Sequence, residues 1–251
     1  MNVQIRYAYF SHIGKLRRIN QDNYFCQGYY HTLNTPALVA PVTGTVRISH
    51  NPVFGVFDGL GGEEKGEVAA FLAAKAASEL LCGESRSEEM NQYCCEANRR
   101  IWEYRSTHGV SRMGTTAALL SFSGDMVYLC NIGDTRIYRF DGNCLQQLSQ
   151  DHVIVPFPGM KGPLTQALGI APEAGALEPY FAKGKSLPGE KYLLCSDGLT
   201  DMLTEEDITR ILSKNDVCDA VRKLTEAALQ RGGRDNITLS LCDIESTEGL
   251  E

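Results

Sequence analysis

The sequence predicts an α+β fold in which mainly antiparallel sheet is covered by helices, and three observations carry that prediction. Apolar runs rich in β-branched and aromatic residues, bounded by Gly, Asp and Asn, recur along the chain at strand length. Helical periodicity is gathered into two pairs of segments, one before residue 110 and one after residue 200. Strands and helices therefore come in blocks and not in strict alternation, which disfavours a doubly wound parallel sheet.

In chain order, the first clear strand is 52–57. Val68, Phe71, Leu72, Ala76 and Leu80 then recur at helical spacing, as do Met90, Cys94, Ala97, Ile101 and Tyr104, so two amphipathic helices should each cover a sheet face. Strands are expected at 115–122, 126–132, 135–140, 192–195 and 237–244. Thr204 with Asp207 three residues on resembles a capping box opening a helix that turns Ile208, Ile211 and Leu212 inward. Asp216 should open another, burying Val217, Ala220, Val221, Leu224 and Ala228. The stretch 30–50 is expected to be a strand and loop elaboration between a strand carrying Arg17 and the strand at 52–57. No repeat or low-complexity tract interrupts the chain, so one domain is expected over 1–245, with a frayed tail at 246–251.

The formal charge of -7 argues against a nucleic-acid or anionic-membrane surface, because binding either requires clustered Lys and Arg. Nine cysteines, an odd number with no CxxC pair, suit reduced thiols in a cytosol better than a disulfide framework or a zinc site. No apolar run approaches the ~20 residues of a membrane helix, and the N-terminus lacks a signal pattern. A cytoplasmic, monomeric protein is the expectation.

The most informative feature is where the aspartates fall. Asp58, Asp134, Asp197 and Asp235 each sit where an apolar strand meets a turn. Any one of them could be ordinary turn chemistry, since Asp-Gly is a common hairpin turn. Together they weaken that reading: strands of one sandwich deliver their ends to a shared rim, where several carboxylates would repel one another unless a cation is bound. All-oxygen ligands without Cys or clustered His select hard ions, Mg²⁺ or Mn²⁺. Two such ions about 3.5–4 Å apart can activate water and clamp both oxygens of a phosphoryl transfer. The residues by themselves thus lead to a metal-assisted phosphoester hydrolase.

Seven segments in order carry a closer likeness: GKLRRINQD at 14–22, VFDGLGG at 56–62, MGTTAALL at 113–120, NIGDTRIY at 131–138, LTQALG at 164–169, CSDGLTDML at 195–203 and GGRDNIT at 232–238. Together they resemble the metal-dependent protein phosphatase 2C family, particularly its single-domain bacterial members. The resemblance implies a four-layer α-β-β-α sandwich, two mainly antiparallel sheets flanked by helix pairs, with a dinuclear Mn²⁺ or Mg²⁺ site at one end. It implies a serine/threonine phosphoprotein phosphatase that attacks phosphomonoesters in line with a metal-bridging hydroxide, acting on targets of a Ser/Thr kinase. By position Asp58 resembles the ligand bridging both ions, Gly59 a carbonyl ligand of one, and Asp197 and Asp235 the remaining ligands of the other. Asp22 would hold a metal-bound water, Asp134 would share a third, weaker ion with Asp197, and Asn236 would orient Asp235 or a metal-bound water. Arg17 matches the phosphate-binding arginine, whose planar guanidinium can grip two oxygens at once. Arg17→Ala is expected to leave metal titration nearly unchanged.

The chain also departs from the family pattern. Gln21 stands where many members have Glu, and Leu60 where eukaryotic members carry a histidine proposed as general acid. Water on a metal is the substitute this leaves, with His12 and His152 as lesser alternatives, since an unpaired His is usually structural or solvated. Ser196 lacks a His partner or a Gly-x-Ser-x-Gly elbow and is no nucleophile. Only 153–163 separate Asp151-His152 from LTQALG, so the flap that bacterial relatives carry there is shortened, which predicts an open cleft, weak peptide selectivity and a poorly held third metal. The competing reading is a silent relative that binds phosphoproteins; loss of a metal aspartate would favour it, and Asp58, Asp197 and Asp235 all remain.

Overall fold

The computed structural model describes residues 3–60, 64–81, 86–155, 162–171, 173 and 175–247. Two six-stranded antiparallel sheets pack face to face. The first runs, in spatial order, β4 (Val42–Arg47), β1 (Val3–His12), β12 (Ile237–Ser246), β11 (Lys191–Cys195), β8 (Arg136–Phe140) and β9 (Leu145–Gln147). The second runs β10 (Tyr180–Lys185), β7 (Met126–Ile132), β6 (Ala117–Ser123), β5 (Val53–Phe57), β2 (Asn23–Cys26) and β3 (Tyr29–Tyr30). Helices α1 (Gly66–Leu80) and α2 (Arg86–Thr107) cover the second sheet, and α4 (Glu205–Leu212) and α5 (Val217–Gln230) the first, with the short α3 (Asp197–Thr200) between β11 and α4. This is the α-β-β-α sandwich the sequence leads one to expect.

Side-chain alternation assigns each strand residue to one of three apolar layers. In β5, Phe54 and Val56 enter the layer between the sheets, whereas Val53 and Phe57 enter the layer under α1 and α2. β11 does the same for the other sheet: Tyr192 and Leu194 point between the sheets, and Leu193 and Cys195 toward α4 and α5. Strands apolar on both faces are therefore central, and their ends are fixed at a common rim by packing on two sides.

The helix starts agree with the sequence. Thr204 and Asp207 form a reciprocal capping box, and Asp216 accepts the backbone N–H of Asp219. The inward residues of α4 and α5 are those expected. For α1 the expected apolar stripe is corrected: Phe71, Leu72 and Leu80 are only partly buried, and the contact face is Ala69, Ala70, Ala73, Ala74, Ala76 and Ala77. Small side chains let this helix lie close against the sheet, so burial follows alanine and not the larger residues.

Arg17 is not on a strand. β1 ends at His12, and Arg17 lies on the loop to β2. Ser246 is not frayed either, because it pairs with Val3 at the end of β12. The stretch 30–50 is indeed strand and loop, with β4 extending the first sheet. Of the loop 153–163, residues 156–161 lie outside the described residues; its ends are joined by a bridge between Val153 and Leu164. The eight described cysteines are all free. No helix among the described residues is long and apolar enough to cross a membrane.

Candidate metal centre

The site is built where strand ends of both sheets meet. Asp58 follows β5, and its backbone is clamped by consecutive threonines: its N–H donates to Thr116 Oγ1 at 3.0 Å, and its carbonyl accepts from Thr116 N at 2.9 Å and Thr115 Oγ1 at 2.8 Å. Thr116 is buttressed by the Thr135 hydroxyl, so the 113–120 and 131–138 motifs serve to fix Asp58. Gly59 donates its N–H to the Gln21 carbonyl at 3.2 Å, and a Cβ there would lie 2.5 Å from that oxygen, which only glycine avoids.

Asp197 opens α3 directly after β11, and Gly198 is required beside it because a Cβ would meet the Asn236 carbonyl at 1.9 Å. Asp235 precedes β12, and Asp134 follows β7 in a turn at Gly133 (φ +93°). His152 braces that turn, its Nδ1 accepting the Gly133 N–H at 3.2 Å.

Asp22 is the most buried of the five acids, 5% exposed. Its Oδ2 accepts the Ser196 hydroxyl at 2.8 Å, and Ser196 Oγ in turn accepts the Thr238 N–H at 3.0 Å. Oδ1 is buried with no hydrogen-bond partner. Burial raises the Asp22 pKa against the pull of the Thr238 and Ser196 hydroxyls, with the Asp197 and Asp235 charges adding to the rise. Asp58 is raised well above the usual carboxylate range by burial and by the charges of Asp22, Asp197, Asp134 and Asp235. Five carboxylates thus lie within electrostatic reach of one another, and Asp22 Oδ1 is buried without a hydrogen-bond partner. That donor set, all oxygen and strongly anionic, fits a hard divalent cation. Among the described residues no three acids already stand as a closed ligand trio. Asp235 is instead held by Arg17, whose Nη2 donates to its Oδ2 at 2.6 Å.

The side chain of Asn236 serves the loop before β2. Its side chain donates to the Ile13 carbonyl at 2.8 Å and the Ile19 carbonyl at 3.1 Å, and accepts the Gln21 N–H at 2.8 Å. It therefore pins the loop carrying Arg17 and Asp22, and only its backbone N–H reaches Asp235, at 2.8 Å. An amide can satisfy carbonyls and an N–H at once, which explains Asn there. Gln21 spans to Glu67 of α1 at 3.4 Å, and Leu60 leaves no imidazole at its position. His12 spends Nδ1 on the Gly14 N–H at 2.9 Å, and burial lowers its pKa.

Ser196 is the residue whose function the sequence did not disclose: it positions Asp22. Ser196→Ala should leave the Thr238 N–H and Asp22 Oδ2 unsatisfied, lowering stability by about 1–3 kcal/mol. Metal affinity should weaken by about 10–100-fold, the usual effect of losing an outer hydrogen bond. Denaturant melts and metal calorimetry check this; unchanged affinity would remove Ser196 from the site.

The raised carboxylates also give a sign. Without a cation the folded chain retains protons that the unfolded chain has released, so this stabilising contribution is lost as pH rises from the usual carboxylate range through the folded pKa values. The gain in melting temperature on adding Mn²⁺ should accordingly be larger at pH 8 than at pH 5.5. Equal gains by scanning fluorimetry would contradict it.

Residues 42–238 match the family model for protein phosphatase 2C. The serine/threonine phosphatase stp of Listeria monocytogenes is 30% identical over 222 residues, covering 79% of this chain and 87% of that protein. PstP of Mycobacterium tuberculosis, named a serine/threonine protein phosphatase, is 29% identical over 201 residues, 74% of this chain; the match spans only 39% of PstP. Among solved structures, PppA of Pseudomonas aeruginosa superposes with a TM-score of 0.79 at 27% identity, covering 96% of this chain and 97% of that one. The catalytic domain of PstP in complex with two manganese ions superposes with a TM-score of 0.78 at 26% identity, covering 97% and 100%. The topology and the matched stretch, which spans most of the chain, agree, and the chain belongs to the protein phosphatase 2C family.

Proposed function

We propose that this chain is a metal-dependent serine/threonine phosphoprotein phosphatase using two Mn²⁺ or Mg²⁺ ions. The observation that carries it is the convergence of Asp22, Asp134, Asp197 and Asp235 on Asp58, with Arg17 on the same rim. The names of the Listeria and mycobacterial relatives, and the two manganese ions of the PstP structure, support it.

Asp58, the Gly59 carbonyl, Asp197 and Asp235 would hold the two ions, with Asp134 available to a third. When bound, such ions supply an activated water and charge neutralisation at phosphorus. Arg17 grips the phosphate oxygens and aligns the phosphoryl group. The free Oδ1 of Asp22 accepts a hydrogen bond from water and orients it, while Ser196 fixes the other oxygen. Phosphorylated targets of a Ser/Thr kinase in the cytoplasm are the proposed substrates, and the monomer the proposed working form.

The purified protein should hydrolyse a phosphoserine or phosphothreonine peptide with Mn²⁺ or Mg²⁺ and lose that turnover after exhaustive EDTA treatment. Activity that survives chelation would sink the assignment.

A further inference from the structure

A cavity of about 460 Å³ adjoins Asp22. It is walled by the end of β1, the loop from β1 to β2 and residues 31–38, with Glu67 of α1 reaching it. Most of its polar side chains are engaged with protein, the exceptions being the exposed Arg18 at the rim and the buried Oδ1 of Asp22. Asn20 bonds Ser11 Oγ at 2.8 Å and the Asp22 N–H at 3.3 Å, and Asn23 joins both the N–H and the carbonyl of His31. His31 Nδ1 lies 3.0 Å from the Thr35 hydroxyl, and Glu67 accepts from Gln21.

What remains to meet an occupant is largely aliphatic. Ile13, Ile19 and Leu33 line the cavity while 37%, 57% and 52% exposed, and Leu38 and Ala37 join them. Single exposed apolar residues are ordinary; several around one concavity mark a binding surface. The cavity also borders the proposed metal and phosphate site, because Asp22 lines it. Arg18 lines it, Arg17 holds Asp235, and the two are consecutive, with Cα atoms about 3.8 Å apart. A chain held by its phosphate at Arg17 has its neighbouring residues within reach of this space.

We propose that the cavity receives a bulky apolar side chain of the phosphoprotein substrate, flanking the phosphorylated residue, and so sets a sequence preference. The proposal rests on the phosphatase assignment above, and in place of the weak peptide selectivity that the short 153–163 loop suggests it lodges selectivity on the N-terminal segment.

The test compares phosphoserine peptides carrying Leu or Ala at each flanking position, reading the Leu-to-Ala ratio of kcat/KM. The same ratio is read as binding affinity by fluorescence anisotropy with non-hydrolysable phosphonate versions. Burial of one aliphatic side chain predicts a ratio of about tenfold at one or more positions. The ratio should fall to near one in Leu33→Asp and in Ala37→Trp, both at exposed positions where folding is spared. A ratio within one protein is insensitive to general loss of activity. A ratio near one in the wild type, with EDTA-sensitive turnover intact, overturns the cavity proposal alone, as does a ratio that neither variant moves. Absence of EDTA-sensitive turnover overturns the phosphatase assignment, and the phosphonate binding ratio then still decides whether the cavity selects apolar flanks.

Discussion

Asp58→Asn should lower kcat by more than about a hundredfold, the most that losing a mere outer-sphere partner of a metal site usually costs. The substitution keeps size and hydrogen bonding but removes the charge on which four other aspartates bear. The same change should relieve repulsion in the metal-free protein, so Asp58→Asn is expected to melt higher than wild type without metal and to gain less from Mn²⁺. Near wild-type kcat, or an undiminished Mn²⁺ gain, would show that Asp58 is not the shared ligand.

Arg17→Ala should cut kcat/KM by about 10²–10³, the scale of removing one preorganised donor to developing charge. The structure adds a second effect. Arg17 bonds Asp235 at 2.6 Å, so it neutralises a proposed metal ligand in addition to its proposed role at the substrate phosphate. Its removal frees Asp235, so the metal Kd should fall, whereas a purely phosphate-binding arginine would leave it unchanged. Arg18, exposed and on the cavity rim, should show neither effect. Calorimetric metal titration beside steady-state kinetics separates the outcomes. A defect in Arg18→Ala with none in Arg17→Ala would shift the assignment by one residue.

The sequence by itself determined much of this protein. The β-rich apolar runs at 126–132 and 237–244 and the capping chemistry at Thr204 and Asp216 are local, and local rules found them. Asp58, Asp134, Asp197 and Asp235 were legible because each sits where an apolar strand meets a turn, and strands packed in one sandwich bring their ends together. The edge strand β10 was missed, and β4 was foreseen only as an unplaced strand within 30–50, since half-exposed alternation over six residues is a faint pattern beside central strands buried on both faces. The alanine face of α1 was misjudged because periodicity weighs side-chain size, whereas close packing selects for its absence. Long-range hydrogen bonds leave no local signature at all. Ser196 and Asp22 are 174 positions apart, and Asn236 and Gln21 215, so which amide pins which loop and which hydroxyl fixes which acid was decided only when β1, β11 and β12 paired side by side. The cavity beside Asp22 has the same origin: its walls at 11–38 enclose a space only because the tertiary fold holds two loops apart over a strand end.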